Sequence, residues 1–253
     1  MSEPKNRTVL VTGATGTLGR ALMPALRERG LDARGLSRSA PGHAHGDLLT
    51  GAGLEAALDG VGLVIHAATD GRRDVRAAGH LLGALRPEQH VLYVSIVGVD
   101  KVPLPYYRQK LEIEGLIRRR GGSILRATQF HDLVLRLARA LTAAPLGLYP
   151  AFDIQPVGTG DVARRLAELA GELAGPGAGP VEEDFGGPQV RSARDLFGGY
   201  LAAAGRRRPL VPLRLPGKIF RGYRDGGHLA PQHARGVETW DAFLDARRAP
   251  RRS

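Results

Sequence analysis

The chain has 253 residues, 43% apolar and 24% charged, enough for one large α/β domain or a core domain with a small appended lobe. It has no cysteine, which excludes disulfides, thiolate catalysis and zinc–thiolate sites, and a reducing cytoplasm is the expected setting. The net charge is +11, but the clusters Arg118–Arg120, Arg206–Arg208 and Arg247, Arg248, Arg251, Arg252 are scattered and not interleaved with aromatics, so neither nucleic acid nor membrane is the expected partner.

The opening MSEPKNR holds no apolar core for a signal peptide, and no apolar run approaches the ~18 residues of a membrane helix. Thr8–Thr12 is a β-branched apolar run that reads as a buried strand. Leu18, Leu22 and Leu26 then mark one helical stripe from Thr17, stopped at Gly30, with Pro24 expected to bend it or to sit near its first turns. Ala33–Ser37 is a second strand, Leu54–Leu58 a short helix and Val61–Ile65 a third clear strand. A helix at Ala77–Leu85, a strand at Val91–Ser95, a helix at Tyr106–Arg120 and a strand at Ser123–Arg126 follow. This alternation predicts an α/β fold, a doubly wound parallel sheet covered on both faces. Beyond Pro145 prolines and glycines thicken; 175–180 reads as a surface loop, Val181–Phe185 as a strand, Arg194–Ala204 as a helix, Pro209–Pro216 as an extended connection and the tail from Ala249 as frayed. The expected division is a dinucleotide-binding Rossmann-like domain over 1–150, with 151–253 returning to the sheet and forming a small substrate lobe.

The first strand runs into Gly13, Ala14, Thr15, Gly16, Thr17, Leu18 and Gly19, which open the first helix. Gly13 allows a tight turn, Gly16 lets the backbone approach a pyrophosphate, and Gly19 lets helix pack on strand. The helix N-terminus, through the backbone of Thr15, Thr17 and Leu18, offers N–H groups to the phosphates. In its G-x-x-G-x-x-G spacing the sequence resembles the short-chain dehydrogenase/reductase superfamily, which implies a nicotinamide cofactor. An NAD site wants an acid at the end of the second strand. Here that strand ends Leu36-Ser37-Arg38, and Asp32 lies at its other edge. Ser37 and Arg38 are suited to a 2′-phosphate, so NADP(H) is expected.

The resemblance extends further. Asp47 and Leu48 match the superfamily's acidic position beside the adenine ring, although Asp47 could equally cap a turn. His66-Ala67-Ala68 ends a strand where small residues let a ribose lie on the backbone. Tyr106 and Lys110, four apart on a helix, share a face, and an ammonium beside a phenol favours phenolate. They correspond to the superfamily's Tyr-x-x-x-Lys pair, with Lys110 also on the ribose, although Tyr107 is close to Lys110 too. The strand before them ends Ser95-Ile96 where the superfamily usually has two hydroxyls; register decides whether Ser95 or Ile96 faces the nicotinamide. Residues 125–132 resemble a loop of the NmrA-like, atypical branch, which makes Thr128, Gln129, Phe130 and His131 pocket candidates, with His131 a proton donor or a structural ring. Gln155-Pro156-Val157 and Asp161-Val162-Ala163 resemble the extended superfamily's return to the sheet, and the likeness covers Thr8 to about Ala170.

The expected function is an NADPH-dependent oxidoreductase acting on a small hydrophobic carbonyl or quinone. Two alternatives stay open: an NmrA-like dinucleotide-binding regulator without turnover, and a non-redox isomerase, epimerase or cyclase. No metal is expected, the partner is a small molecule, and the sequence leaves oligomeric state undetermined.

Overall fold

The computed structural model describes residues 8–175 and 177–248. In chain order the elements are β1 (Thr8–Thr12), α1 (Thr17–Glu28), β2 (Asp32–Ser37), β3 (Ala44–His45), α2 (Leu54–Leu58), β4 (Leu63–His66), α3 (Asp74–Ala84), β5 (His90–Ile96), α4 (Pro105–Arg119) and β6 (Ser123–Ala127). Then come α5 (His131–Leu141), β7 (Gly147–Pro150), β8 (Asp153–Ile154), α6 (Thr159–Leu173), β9 (Glu182–Phe185), β10 (Arg191–Ser192), α7 (Ala193–Ala203), β11 (Leu210–Leu213), α8 (Lys218–Arg224) and α9 (Trp240–Arg248).

A seven-stranded sheet runs β3-β2-β1-β4-β5-β6-β9, and the pairs from β3 to β5 are parallel. The sheet is Rossmann-like, and its strand order reverses beside β1, which pairs with β2 on one edge and β4 on the other. Strand side chains alternate, and here both faces are apolar. Leu10, Val64, Val91 and Tyr93 share a core with Leu54 of α2, Leu81 of α3 and Ile113 of α4. Val9, Val11, Ile65 and Leu92 alternate to the other face and are equally buried.

By contacts the chain divides into two units, and each draws on separate stretches: Met1–Ser95, Pro105–Arg126 and Val162–Glu183 in one, Ile96–Leu104, Ala127–Asp161 and Asp184–Ser253 in the other. The sequence boundary at 150 falls inside a stretch of the second unit. That unit has its own core, in which Val134, Leu135 and Ala138 of α5 meet Leu196, Phe197 and Leu201 of α7 and Trp240, Phe243 and Leu244 of α9. Gln155 clamps it, donating to the Gly187 and Ala230 carbonyls and accepting from the Ala230 N–H. The Asp161 carboxylate accepts from the N–H groups of Val237 and Glu238.

Several sequence expectations shift. The third clear strand is Leu63–His66 rather than Val61–Ile65, because Val61 closes a turn onto the Leu58 carbonyl after α2. Asp32 begins β2 instead of preceding it, and its carboxylate accepts from Thr8 at the N-terminal edge. Asp161-Val162-Ala163 lies in the first turns of α6. Pro209–Pro216 contains β11, paired in parallel with β7. Pro24 falls in the middle of α1 on its exposed side. Pro176, within the loop 175–180, and the tail from Ala249 lie outside the described residues. Among the described residues no helix is long and apolar enough to cross a membrane.

Gly19 takes the helix closest to the strand loop: a Cβ there would lie 2.2 Å from the Gly13 carbonyl oxygen, whereas one on Gly79 of α3 would meet nothing within 4 Å. Gly19→Ala is therefore expected to lose about 1–3 kcal/mol in denaturant unfolding. Gly79→Ala, on an exposed helix position, is expected to gain up to about 1 kcal/mol.

Candidate active site

The site begins where β1 and β4 end side by side. Gly13 has φ +71°, and a Cβ on it would stand 2.9 Å from the Ala68 backbone. No larger residue fits that conformation and that approach. Thr12 closes the junction, its hydroxyl accepting from the Ala67 and Ala68 N–H groups, each at 3.2 Å. The same hydroxyl meets His66 Nδ1 at 2.8 Å, and since its lone pairs are taken it is the donor there. Burial, with the Lys110 ammonium nearby, holds the His66 imidazole down to about 3, so the ring stays neutral and accepts at Nδ1. It stacks on Tyr93 of β5 with centroids 5.5 Å apart.

Past Gly13 the loop turns through Gly16, whose N–H donates to the Gly13 carbonyl. Gly16 is the N-cap of α1 in extended backbone; no side chain caps the helix and no acid stands in its first turn. Thr15, Gly16 and Thr17 are exposed and Leu18 half-buried. An uncapped, acid-free helix start beside exposed backbone is the donor set a pyrophosphate needs. Thr12 pairs in register with Leu36, which brings the end of β2 to the same edge. There the Ser37 hydroxyl accepts from the Ser39 and Ala40 N–H groups, forming a turn that leaves Arg38 exposed, without an ion pair among the described residues. Asp47 caps a turn, accepting from the Leu49 N–H, and Leu48 packs half-buried on the core.

The candidate acid–base residues come from α4 and from the loop after β4. Tyr106 is half-exposed, while Tyr107 is buried, so Tyr106 is the more accessible ring. Its hydroxyl lies 3.1 Å from the Thr69 hydroxyl, which donates to the Asp74 carboxylate at 2.5 Å. Lys110 is only 4% exposed; its ammonium lies 3.9 Å from Asp74 and over the ring faces of Tyr93 and Tyr106, at 5.1 and 5.6 Å from their centroids. Asp74 is 3% exposed and also accepts from the Asp70 and Gly71 N–H groups.

This corrects the simple picture of an ammonium that ionises a phenol. Burial raises the Tyr106 phenol above its ordinary value, the Thr69 hydrogen bond opposes this, and the Asp74 carboxylate adds to it. Burial lowers the Lys110 ammonium, against the pull of Asp74 and Glu114. The Tyr106 phenol is thus held above, not below, its ordinary value. Ser95 shares the Tyr93 face of β5, but its hydroxyl is buried with no hydrogen-bond partner, as is that of Tyr93. The structure therefore does not bring Ser95 into the Tyr106 hydrogen-bond chain.

In the second unit, Thr128 is buried, its hydroxyl accepting from the Gly187 N–H. Gln129 donates to the His228 carbonyl, leaving its own side-chain oxygen buried without a partner, and Phe130 is half-exposed. His131 is a core residue: at 1% exposure its ring lies 4.7 Å from Phe243 and 5.7 Å from Trp240, and Nε2 meets the Glu238 carbonyl at 3.0 Å. Burial lowers its imidazole, against the opposing Glu238 carbonyl, and its packing favours the structural ring over the proton donor. Thr12, Thr69 and Asp74 escape a reading of the sequence; only the acid opening α3 leaves a local signal, one shared with any helix start.

Residues 9–80 match the model of the NAD dependent epimerase/dehydratase family. No curated protein matches the sequence. The fold is similar to that of the NADPH-dependent quinone oxidoreductase QOR2 of Escherichia coli complexed with NADPH (TM-score 0.75, 16% identity, 94% of this chain and 99% of that one). It is similar to the triphenylmethane reductase of Citrobacter sp. complexed with NADP(H) (0.76, 16%, 94% and 99%). A short-chain dehydrogenase/reductase superfamily protein of Agrobacterium tumefaciens with bound NAD is a further likeness (0.70, 20%, 95% and 96%). The family match spans the glycine loop and ends before Tyr106 and Lys110, and the structural likenesses bear out the Rossmann-like fold.

With its folded-state value near 3 against 6.5 unfolded, His66 takes up a proton on unfolding at any pH between the two. Stability supplied by this group is complete above pH 6.5 and is lost as pH falls toward 3. NMR is expected to show the His66 ring in its neutral form down to about pH 4. His66→Asn, which keeps an acceptor for Thr12, is expected to flatten the pH dependence of unfolding in that window.

Proposed function

We propose that the protein is an NADPH-dependent oxidoreductase that reduces a small, fairly hydrophobic carbonyl or quinone in the cytoplasm. The observation that carries this reading is the pairing of a reachable, protonated Tyr106 phenol with the buried Lys110 on one helix face, in the same unit as the uncapped glycine loop. Gly13, Gly16 and Gly19 shape a pyrophosphate cradle, with Thr15, Thr17 and Leu18 offering backbone. Ser37 and Arg38 take the 2′-phosphate, Asp47 and Leu48 flank the adenine, and Ala67 and Ala68 line the ribose. When bound, the dihydronicotinamide supplies a hydride. Tyr106 gives a proton to the carbonyl oxygen, and Lys110 hydrogen-bonds the ribose and holds positive charge near the developing oxyanion. Thr128, Gln129 and Phe130 are kept as substrate-side residues on the strength of the family resemblance.

A second reading, an NmrA-like regulator that binds dinucleotide without turnover, is favoured by the Ser95 hydroxyl standing outside the chain of hydrogen bonds to Tyr106. The family match at 9–80 favours a third, an isomerase, epimerase or cyclase without net redox.

NADPH oxidation against a panel of carbonyls and quinones separates these readings. Tyr106→Phe is expected to lower turnover by about 100-fold with NADPH binding intact; an unchanged rate removes Tyr106 from the chemistry. Arg38→Ala is expected to shrink the preference for NADPH over NADH by at least about tenfold, the scale of a charge-assisted hydrogen bond. An unaltered ratio of the two affinities would falsify the 2′-phosphate assignment.

A further inference from the structure

We propose that residues 206–224, within the second unit, form a docking face for an anionic phospholipid bilayer, one that holds the protein at a membrane surface without crossing it. The proposal goes beyond the oxidoreductase reading and does not depend on it. From 196 to 224 the chain has no acid, and its last 19 residues there carry seven lysines and arginines, against a net charge of +11 for the whole protein. No residue from 202 to 227 is buried. The arginine triplets by themselves favour no membrane partner. What sets this stretch apart is that most of its cations lack partners and that bare aliphatic side chains stand between them.

Two of the seven cations serve the fold. Arg208 donates to the carbonyls of Thr142, Ala143 and Ala144 just after α5, and Arg224 donates to the Leu215 carbonyl at 3.0 Å. Arg206, Arg207, Arg214, Lys218 and Arg221 are exposed, and their side chains make no hydrogen bond or ion pair among the described residues. By contrast, the exposed Arg29, Arg86, Arg118 and Arg247 reach Glu168, Asp59, Glu182 and Asp132. Lys218, Arg221 and Arg224 recur every three residues, so they share one face of α8. Tyr223 holds the helix from another side, stacked on Phe152 with centroids 4.9 Å apart and edge-on to His228 at 4.7 Å.

The apolar part comes from Val211 of β11 and Leu215 after it, both exposed, and from the exposed Leu146, which directly precedes the start of the β7–β11 pairing. Basic side chains interspersed with protruding aliphatic ones match the two attractions of an anionic membrane interface, the charge of its headgroups and the apolar boundary beneath them. Nucleic acid is the poorer fit. Single strands stack on exposed aromatic faces, whereas Phe220 and Tyr223 are both half-buried and the second is already stacked. A second copy is disfavoured as well, since a two-fold contact would set this cationic face against itself.

Sedimentation of the full chain with lipid vesicles tests this without any reading of turnover. Wild type is expected to bind vesicles of phosphatidylcholine and phosphatidylserine at about 7:3, to ignore pure phosphatidylcholine, and to be released in about 0.5 M salt. The triple variant Arg214→Gln, Lys218→Gln, Arg221→Gln has no ion pair to lose. It is expected to lower the partition coefficient by about 100-fold, roughly fivefold per cation. Val211→Ser with Leu215→Ser is expected to lower it by about tenfold. Arg27→Gln, Arg76→Gln, Arg119→Gln removes the same charge from exposed positions of the first unit and is expected to stay within about twofold of wild type. Equal losses in the two triple variants leave only net charge and overturn the docking face. So does a wild-type chain that stays in the supernatant or binds both vesicles alike. DNA bound more tightly than the vesicles, with the serine variant unaffected, overturns it in favour of nucleic acid. Should circular dichroism show the first triple variant to be misfolded, the serine variant and the salt dependence decide the question.

Discussion

The close approach of the β1 and β4 ends, held by one threonine hydroxyl, is the contact on which the rest of the site depends. Thr12 binds two successive N–H groups at the exit of β4 and orients His66. With Gly13 lacking a side chain, the chain leaving β4 passes directly over the chain leaving β1. Thr69 follows Ala68 immediately, so whatever fixes the exit of β4 also fixes the hydroxyl that Tyr106 meets. The glycine loop and the acid–base chain thus share one mechanical origin at the point where the sheet's strand order reverses. Losing that hydroxyl would leave two part-buried donors unpaired and slacken both halves of the site together.

Around this junction the interior is polar in an uneven way. Lys110 is almost wholly buried with one carboxylate at 3.9 Å and two aromatic faces for company. The hydroxyls of Tyr93 and Ser95 have no partner at all. Glu114 beside them is the opposite case, buried but gripped by two arginines, one of them bidentate. Buried polar groups are ordinarily satisfied. The contrast separates a scaffold ion pair, complete in itself, from a reactive neighbourhood whose bonding capacity is only partly used. Such incompleteness is destabilising, and it persists where function needs groups ready to bind something else.

How much of this was legible in the sequence follows the range of each interaction. The glycine loop was readable because its constraints are local: a positive φ, a strand before and a helix after. Tyr106 and Lys110 were readable because four residues make one helical turn. Thr12 with His66 was not, since the partners lie 54 residues apart and neither type announces the other. Asp74 was not singled out: the helix was expected only from Ala77, and the link of Asp74 to Tyr106 passes through a third residue. His131 left chemistry and a structural role both open by residue type, and its packing against Trp240 and Phe243 shows it to be core. β11 was hidden by its prolines. Pro212 lacks an N–H, and a strand of two-stranded pairing can spare that donor on its open edge.

The interleaving of the two units bears on how the protein is made. One unit is interrupted after residue 126 and completed only by 162–183, which carry most of α6 and the start of β9. At about 5–20 residues per second of synthesis, the 57 residues from 127 to 183 hold that completion back by roughly 3 to 11 s. During that interval its early strands stand without their last partner while a segment of the other unit emerges. Neither unit can close as an uninterrupted stretch leaving the ribosome. The nascent chain passes through a stage in which an apolar parallel sheet has an open edge.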